Sequence, residues 1–234
     1  MDCTHIPEIS CFYSDTIASH ILNPSAHFEY EMILVTDGSA QVQIHDRTYP
    51  LQRGSLLFIS RLEQHQFCIV KEPYCRYVLS VSSDLLLSHL NEPRLASIFM
   101  QRPEYFSHVV QLNEEQLAYF LPFFQKSADE YEKQPDFYTL QSIALLLLIL
   151  ISLYRLYPNA FPMEDSSSLS AAVLNAQIYV SRHFNRKLTL QEIADQCFLS
   201  RHTLSLAFKE IVGITFKEYL SLIHISEPTR HSLI

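Results

Sequence analysis

Glycine is scarce in this 234-residue chain, with only Gly38, Gly54 and Gly213 present. Each is therefore expected to sit where the backbone needs a conformation other residues resist. Paired cysteines are missing too. The five cysteines stand at positions 3, 11, 68, 75 and 197, an odd number with no C-x-x-C among them, which argues against a disulfide framework or a zinc cage. A reducing cytoplasm is the expected compartment. Asp2, His5 and Glu8 interrupt the opening stretch, so no secretory signal peptide is expected. The longest apolar run, IALLLLILISL at residues 143–153, spans 11 residues between Gln141 and Tyr154-Arg155. It falls short of the ~20 residues that cross a bilayer, so it reads as a buried helix and no membrane partner is expected. Charged residues make up only 18% of the chain against 48% apolar, which excludes global disorder. At about 150 residues per domain the length suggests one to two domains, enough to bury roughly 70% of the extended-chain surface.

Charge divides the chain. Residues 1–165 hold 10 Lys/Arg and 20 Asp/Glu, whereas residues 166–234 hold 7 and 5, for an overall −8. An acidic body carrying a mildly basic tail keeps a nucleic-acid partner open, because charge acts locally. The join, PNAFPMEDSSS at 158–168, holds two prolines and a serine run. It reads as a linker, assigned to residues 158–169.

In the first half, short β-rich runs at 29–36, 40–45, 56–60, 66–70 and 76–81 alternate with turn residues. Asp37-Gly38 reads as a hairpin turn between the first two runs, and Arg53-Gly54 as a second turn. Antiparallel strands at this spacing suggest a barrel or sandwich. His27-Phe28-Glu29-Tyr30-Glu31 ahead of Gly38, then Gly54 with His65 eleven residues on, resembles the two-motif pattern of the cupin barrel. In metal-binding cupins those motifs supply three histidines and a glutamate; the matching positions here are Ser25, His27, Glu31 and His65. A serine stands where the first histidine would be, and Ser60 and Leu62 replace the usual proline and glycine of the second motif. His27, Glu31 and His65 therefore read as polar anchors of a small-molecule pocket, with Tyr30 and Tyr49 as further candidate effector-binding residues. No metal or other cofactor is expected. The alternative is a cupin metal-dependent enzyme, a dioxygenase or isomerase, using His27, Glu31 and His65.

Two helices should follow. One begins at Asn113 as N-cap with Gln116 three residues on and runs to about residue 132. The other spans about 136–157, and its stretch at 145–151 is apolar on every face, which excludes a solvated surface helix. It can serve as a dimer interface or as an internal core helix, and the 113–157 segment is assigned to packing and dimerisation.

The tail carries the most specific pattern. Leu174, Ile178 and Val180 sit at helical spacing, with Phe184 closing that helix. Thr189-Leu190-Gln191-Glu192 forms a capping box, Ala194 is small enough for close helix approach, Leu199 fills a turn and Ser200 caps the next helix. Leu204 and Phe208 lie on one buried face, Gly213 supplies a left-handed cap, and Thr215 to Glu218 is a second box. Helix, tight turn, helix reads as a helix-turn-helix.

The run LTLQEIADQCFLSRHTLSLAFKEIVGITFKEYL closely resembles the first DNA-binding repeat of the AraC/XylS family of bacterial transcription regulators. With the cupin-like half before it, the resemblance covers nearly the whole chain. It implies an α+β architecture: an N-terminal cupin-like antiparallel β-barrel (1–112) binding a small effector, two helices (113–157), and an all-α helix-turn-helix segment (170–220). It further implies a homodimer, promoter DNA as partner, no catalysis, and an effector-driven shift between conformations. The family's base-contacting positions match His202, Ser205 and Leu206, with Arg201, Thr203 and Lys209 nearby; Arg182 and Lys217 could pair with phosphates. The family's second helix-turn-helix is replaced by LSLIHISEPTR at 220–230, which resembles the translation of a sequencing adapter. Residues 221–234 are accordingly expected to be foreign to the gene, with Pro228 stopping the last helix by Glu227. A single reading unit of net charge +2 is expected to bind DNA weakly at physiological salt unless two copies join half-sites. A chain so shortened could also act as an effector-binding and dimerisation module alone.

Overall fold

The computed structural model describes residues 8–16, 24–90, 92–103, 105–162, 168–183 and 186–226. Met163 to Ser167 of the expected linker, Phe184 and the tail from Glu227 onward lie outside the described residues, as does the side chain of Arg182. Contacts divide the chain into two compact units, residues 1–90 with 107–160, and residues 91–106 with 161–234.

The first unit is built on six antiparallel strands: β1 (Ile9–Thr16), β2 (Tyr30–Ile44), β3 (Arg47–Gln52), β4 (Ser55–Ile59), β5 (His65–Val81) and β6 (Val109–Gln111). Their order is β1-β5-β2-β4-β6, with β3 beside β2. β2 pairs with β5 along nearly its whole length, from Tyr30↔Val81 to Ile44↔His65. On its other edge it takes β4 at Glu31–Leu34 and β3 at Ser39–Ile44.

Asp37-Gly38 is not a hairpin turn. The two runs expected on either side of it are one strand, and the pairing register shifts between Val35 and Ala40. Gly38 has φ +73 and receives local support, its N–H donating to Asp37 Oδ1 at 2.7 Å. The positive φ that suggested a primed turn serves a bulge instead. Its consequence is a change of parity. Ile33 and Val35 face the inner cluster before the bulge, Ala40, Val42 and Ile44 after it. They share that cluster with Leu51, Leu57, Ile59, Phe67, Ile69, Tyr74 and Val78. The runs at 66–70 and 76–81 likewise prove to be one strand. The true tight turn after β2 lies at His45-Asp46, with His45 at φ 51.

The opposite face of the sheet meets the helices. α1 (Ser83–His89) follows β5, while α3 (Glu114–Lys133) and α4 (Tyr138–Leu156) follow β6. α3 packs against β1 and α4, burying Leu117, Phe120 and Phe124; Tyr30, Met32 and Leu34 of β2 are fully buried. The cap of α3 is the one expected. Gln116 N–H donates to Asn113 Oδ1 at 2.9 Å, and Asn113 N–H donates to Gln116 Oε1 at 2.9 Å. Asn113→Ala should destabilise this unit by about 1 kcal/mol, visible as a lower urea midpoint at unchanged slope.

α4 lies within the expected span of about 136–157 and extends past the 11-residue apolar run at its centre. At 19 residues and mean hydropathy 1.9 it is long and apolar enough, by length and composition only, to cross a membrane. In the fold, however, Ile143, Leu145, Leu146, Ile149, Leu150 and Leu153 are buried. Leu140 and Leu148 are exposed on its other side.

The second unit holds α2 (Pro93–Met100), α5 (Ser168–His183), α6 (Leu190–Gln196), α7 (Arg201–Val212) and α8 (Phe216–Ser226). α2 comes from the part of the chain expected to be barrel. Ala96 to Met100 are five consecutive buried residues, more than one face of a surface helix can account for. α2 packs on α5, and Arg102 N–H donates to Ile211 O in α7 at 2.6 Å. α5 buries Ala172, Val173, Ala176, Gln177 and Val180, with Leu174 and Ile178 only half-buried. Ile193 and Ala194 of α6, Leu204, Ala207 and Phe208 of α7, and Phe216 and Tyr219 of α8 complete the interior. Phe208 sits edge-on to Phe216 and Tyr219, with ring centroids 5.3 and 5.2 Å away.

Candidate functional site

Among the described residues, each unit brings chemistry-bearing side chains together. In the first unit, a loop carries Ser25 and His27 alongside β2 and the start of β5, held by reciprocal backbone bonds between Ser25 and His65 at 2.9 and 3.0 Å. His27 Nε2 lies 3.1 Å from Glu31 Oε2, and the two imidazole rings are 5.1 Å apart, edge to face. The ligand atoms of His27, Glu31 and His65 all fall within 4.8 Å of one another.

Each group is fixed from behind. His27 Nδ1 donates to Glu29 O at 3.0 Å and His65 Nδ1 to Glu63 O at 2.9 Å, since a carbonyl only accepts. Ser80 Oγ donates to Glu31 Oε1 at 3.0 Å. Ser25, where the cupin pattern has a histidine, places its hydroxyl 2.8 Å from His65 Nε2. Burial holds His65 below the ordinary imidazole range, with nearby His27 adding to the effect. Burial works against charge on His27 as well, but the Glu31 carboxylate overrides it and holds His27 above that range. Glu31 mirrors this: burial raises its carboxyl, while His27 and the Ser80 hydroxyl outweigh burial and keep it below the usual carboxylate range.

Two further candidates do not join this cluster. Tyr30 neighbours Glu31 on β2, so strand alternation sends it to the opposite face; it is fully buried there. The Tyr49 hydroxyl, 2.9 Å from His108 Nδ1, belongs to a second network. In it His108 Nε2 donates to Glu63 Oε1 at 2.8 Å, Ser60 N–H donates to Glu63 Oε2 at 2.8 Å, and His45 Nε2 lies 3.9 Å from Glu63 Oε1. Neither Glu63 nor His108 stood out in the sequence, because 45 residues separate two side chains that meet only once β6 reaches β4.

In the second unit, α6, the turn and α7 form the expected helix-turn-helix. Ser200 Oγ accepts from Thr203 N–H at 3.0 Å, and Gly213, at φ +85, closes α7 by donating to Lys209 O at 3.0 Å. The Thr215–Glu218 box is complete, with Thr215 N–H donating to Glu218 Oε2 and Glu218 N–H to Thr215 Oγ1. The Thr189–Glu192 box forms only in part. Thr189 Oγ1 accepts from Glu192 N–H, but the Glu192 carboxylate turns to the Tyr179 hydroxyl and to Arg186.

Of the six candidate DNA contacts, Arg201, His202, Leu206 and Lys209 are exposed on α7 and Ser205 is half-buried. Thr203 is tied to the cap, its hydroxyl 2.7 Å from Ser200 Oγ. Leu206 does not pack inward, being 58% exposed. The turn itself carries Phe198, 96% exposed at φ 55. Lys217 is exposed on α8.

Comparison with known proteins agrees with this layout. Residues 7–150 match the model of the AraC-like ligand binding domain, and residues 180–221 match that of the bacterial regulatory helix-turn-helix proteins of the AraC family. No curated protein matches the chain. Among solved structures, unsaturated-fatty-acid-bound ToxT from Vibrio cholerae strain SCE256 aligns over 93% of this chain and 78% of its own, at 13% identity and a TM-score of 0.58. That is a likeness of fold. The AraC-like transcriptional activator CuxR aligns over 95% of this chain and 79% of its own, at 12% identity and a TM-score of 0.43.

Proposed function

Because this chain belongs to the AraC family of effector-responsive regulators, we propose that the His27–Glu31–His65 cluster is where its effector binds and that the exposed edge of α7 reads promoter DNA. The observation that carries the reading is the two-sidedness of α7. Leu204, Ala207 and Phe208 are buried while Arg201, His202, Leu206 and Lys209 face solvent, on a helix capped at both ends. A helix presented this way can offer hydrogen-bonding and apolar groups to base edges and cations to phosphates. Arg201 and His202 lie in its first turn, where recognition helices meet bases. Lys209 suits a phosphate, and Leu206 a thymine methyl. Thr203 contributes to the cap that fixes the start of the helix.

Two copies acting together would supply phosphate contacts that one helix-turn-helix lacks. The exposed Leu140 and Leu148 of α4, beside its buried face, support a homodimer through that helix. A cytoplasmic site of action accords with this function. Effector binding would act by favouring one arrangement of the two units over another.

Selection from random duplexes by the full chain at about 50 mM salt tests the reading, because salt weakens phosphate contacts steeply. A shared motif is expected, repeated two-fold if two copies bind. His202→Ala should relax one or two positions, by about 1–3 kcal/mol each, while Lys209→Ala should weaken all sequences alike. Recovery of no common motif would overturn the assignment.

A further inference from the structure

The turn between α6 and α7 carries a backbone cost that packing does not offset. Cys197 closes α6 at φ −93, ψ 3, and Phe198 follows at φ 55. Leu199 N–H donates to Ala194 O at 2.9 Å, and Phe198 N–H donates to Asp195 O at 3.2 Å. These two bonds make a Schellman ending with Phe198 in its left-handed position, which favours glycine because a Cβ is crowded there. Burial of the ring could offset that cost, yet the ring is almost fully exposed. Its neighbours turn the other way. Cys197 Sγ donates to Ala172 O of α5 at 3.3 Å, and Leu199 is half-buried. The chain is thus anchored on both sides of a single outward phenylalanine.

A strained residue between well-anchored neighbours points to function rather than to folding. Ser200 caps α7 two residues on, and Arg201 and His202 form the first turn of that helix. Four residues of chain keep the Phe198 and His202 Cα atoms within about 14 Å, close to the ~12 Å width of a major groove. Phosphate does not suit this spot. An uncharged ring offers it no hydrogen bond, and the exposed Asp195, three residues earlier, repels it. The apolar feature that a base edge presents in the major groove is the thymine methyl.

We propose that Phe198 packs against a thymine methyl at the margin of the site read by α7, which makes the turn itself a specificity-determining part of the DNA surface. This rests on reading α7 as the recognition helix, and it extends the reading surface beyond that helix.

Selection from random duplexes by the full chain and by its Phe198→Gly variant provides the test. One thymine chosen by the wild type should lose its preference in the variant. Phe198→Gly should be at least as thermally stable as the wild type, because glycine fits the left-handed position. It should nevertheless bind the wild-type duplex about 5–10-fold more weakly, the lower end of what one lost base contact costs. Its salt dependence should be unchanged, since no phosphate contact is removed. Deoxyuridine at that thymine deletes the methyl group alone; it should weaken the wild type by a similar factor and leave the variant unmoved. Phe198→Asn, also tolerated in this backbone conformation, should match Phe198→Gly, which separates loss of the ring from added backbone freedom. Wild-type affinity in either variant, a thymine preference that survives them, or a lowered melting temperature of Phe198→Gly overturns the proposal. A wild-type chain that selects no motif sinks the regulator reading and this inference with it. A wild-type motif that both variants read unchanged sinks this inference alone.

Discussion

Phe208→Ala is expected to cost the helical unit about 3–5 kcal/mol, the range for truncating a fully buried phenylalanine. Phe208 is fully buried and holds Phe216 and Tyr219 edge-on. Its loss opens a cavity where α7 meets α8. Whole domains are stable by only about 5–15 kcal/mol, so a unit this small should be left near its unfolding midpoint. Chemical denaturation of the full chain should show one transition moved sharply to lower urea, and DNA binding should disappear with it. Phe208→Leu keeps most of the volume and should cost less than about 1.5 kcal/mol. Equal effects from the two variants would mean that this contact does not organise the unit.

The second large effect is expected at Gly38, in the other unit. A Cβ there would lie 2.2 Å from Pro73 O and 2.7 Å from Lys71 O, both backbone atoms that cannot swing aside. The position also has φ +73, which costs an L-residue roughly 1–2 kcal/mol before any clash. With overpacking of about 1–3 kcal/mol added, Gly38→Ala should lower the sheet unit's denaturation midpoint by an amount corresponding to about 2–5 kcal/mol, leaving the helical transition in place. A change within about 0.5 kcal/mol, the range of ordinary surface substitutions, would show that the strand pair relaxes around the bulge.

Gly38 also shows where sequence reading stops. Asp-Gly between two apolar runs is the local pattern of a hairpin, and nothing local distinguishes a turn from a bulge in a long strand. The distinction is made by β5, which pairs with both halves of β2. Helix ends were legible for the opposite reason. Asn113 with Gln116, Ser200 with Thr203 and Thr215 with Glu218 settle their partners within three residues. Glu192 departed from its expected partner because Tyr179 and Arg186 compete for its carboxylate. β3 escaped notice since Pro50 interrupts it, tolerated where it pairs only with β2. At the candidate site, the motif spacing pointed to His27, Glu31 and His65 because His27 and Glu31 flank the start of β2, and β2 pairs with β5, which begins at His65. Tyr30, next to Glu31, faces away from the cluster by the two-residue period of a strand, and the Glu63–His108 pair depends on a strand contact that no spacing encodes.

The position of α2 bears on how such regulators can be recombined. A hybrid made by exchanging everything after the proline–serine joint would import α5 to α8 without the helix that covers part of α5. The buried block Ala96–Met100 and the Arg102 N–H that meets Ile211 O would come from the recipient. Cassette swaps at that joint therefore need a matching graft of residues 91–106, and inheritance of the reading head is tied to a stretch of sequence on the far side of three strand-and-helix elements.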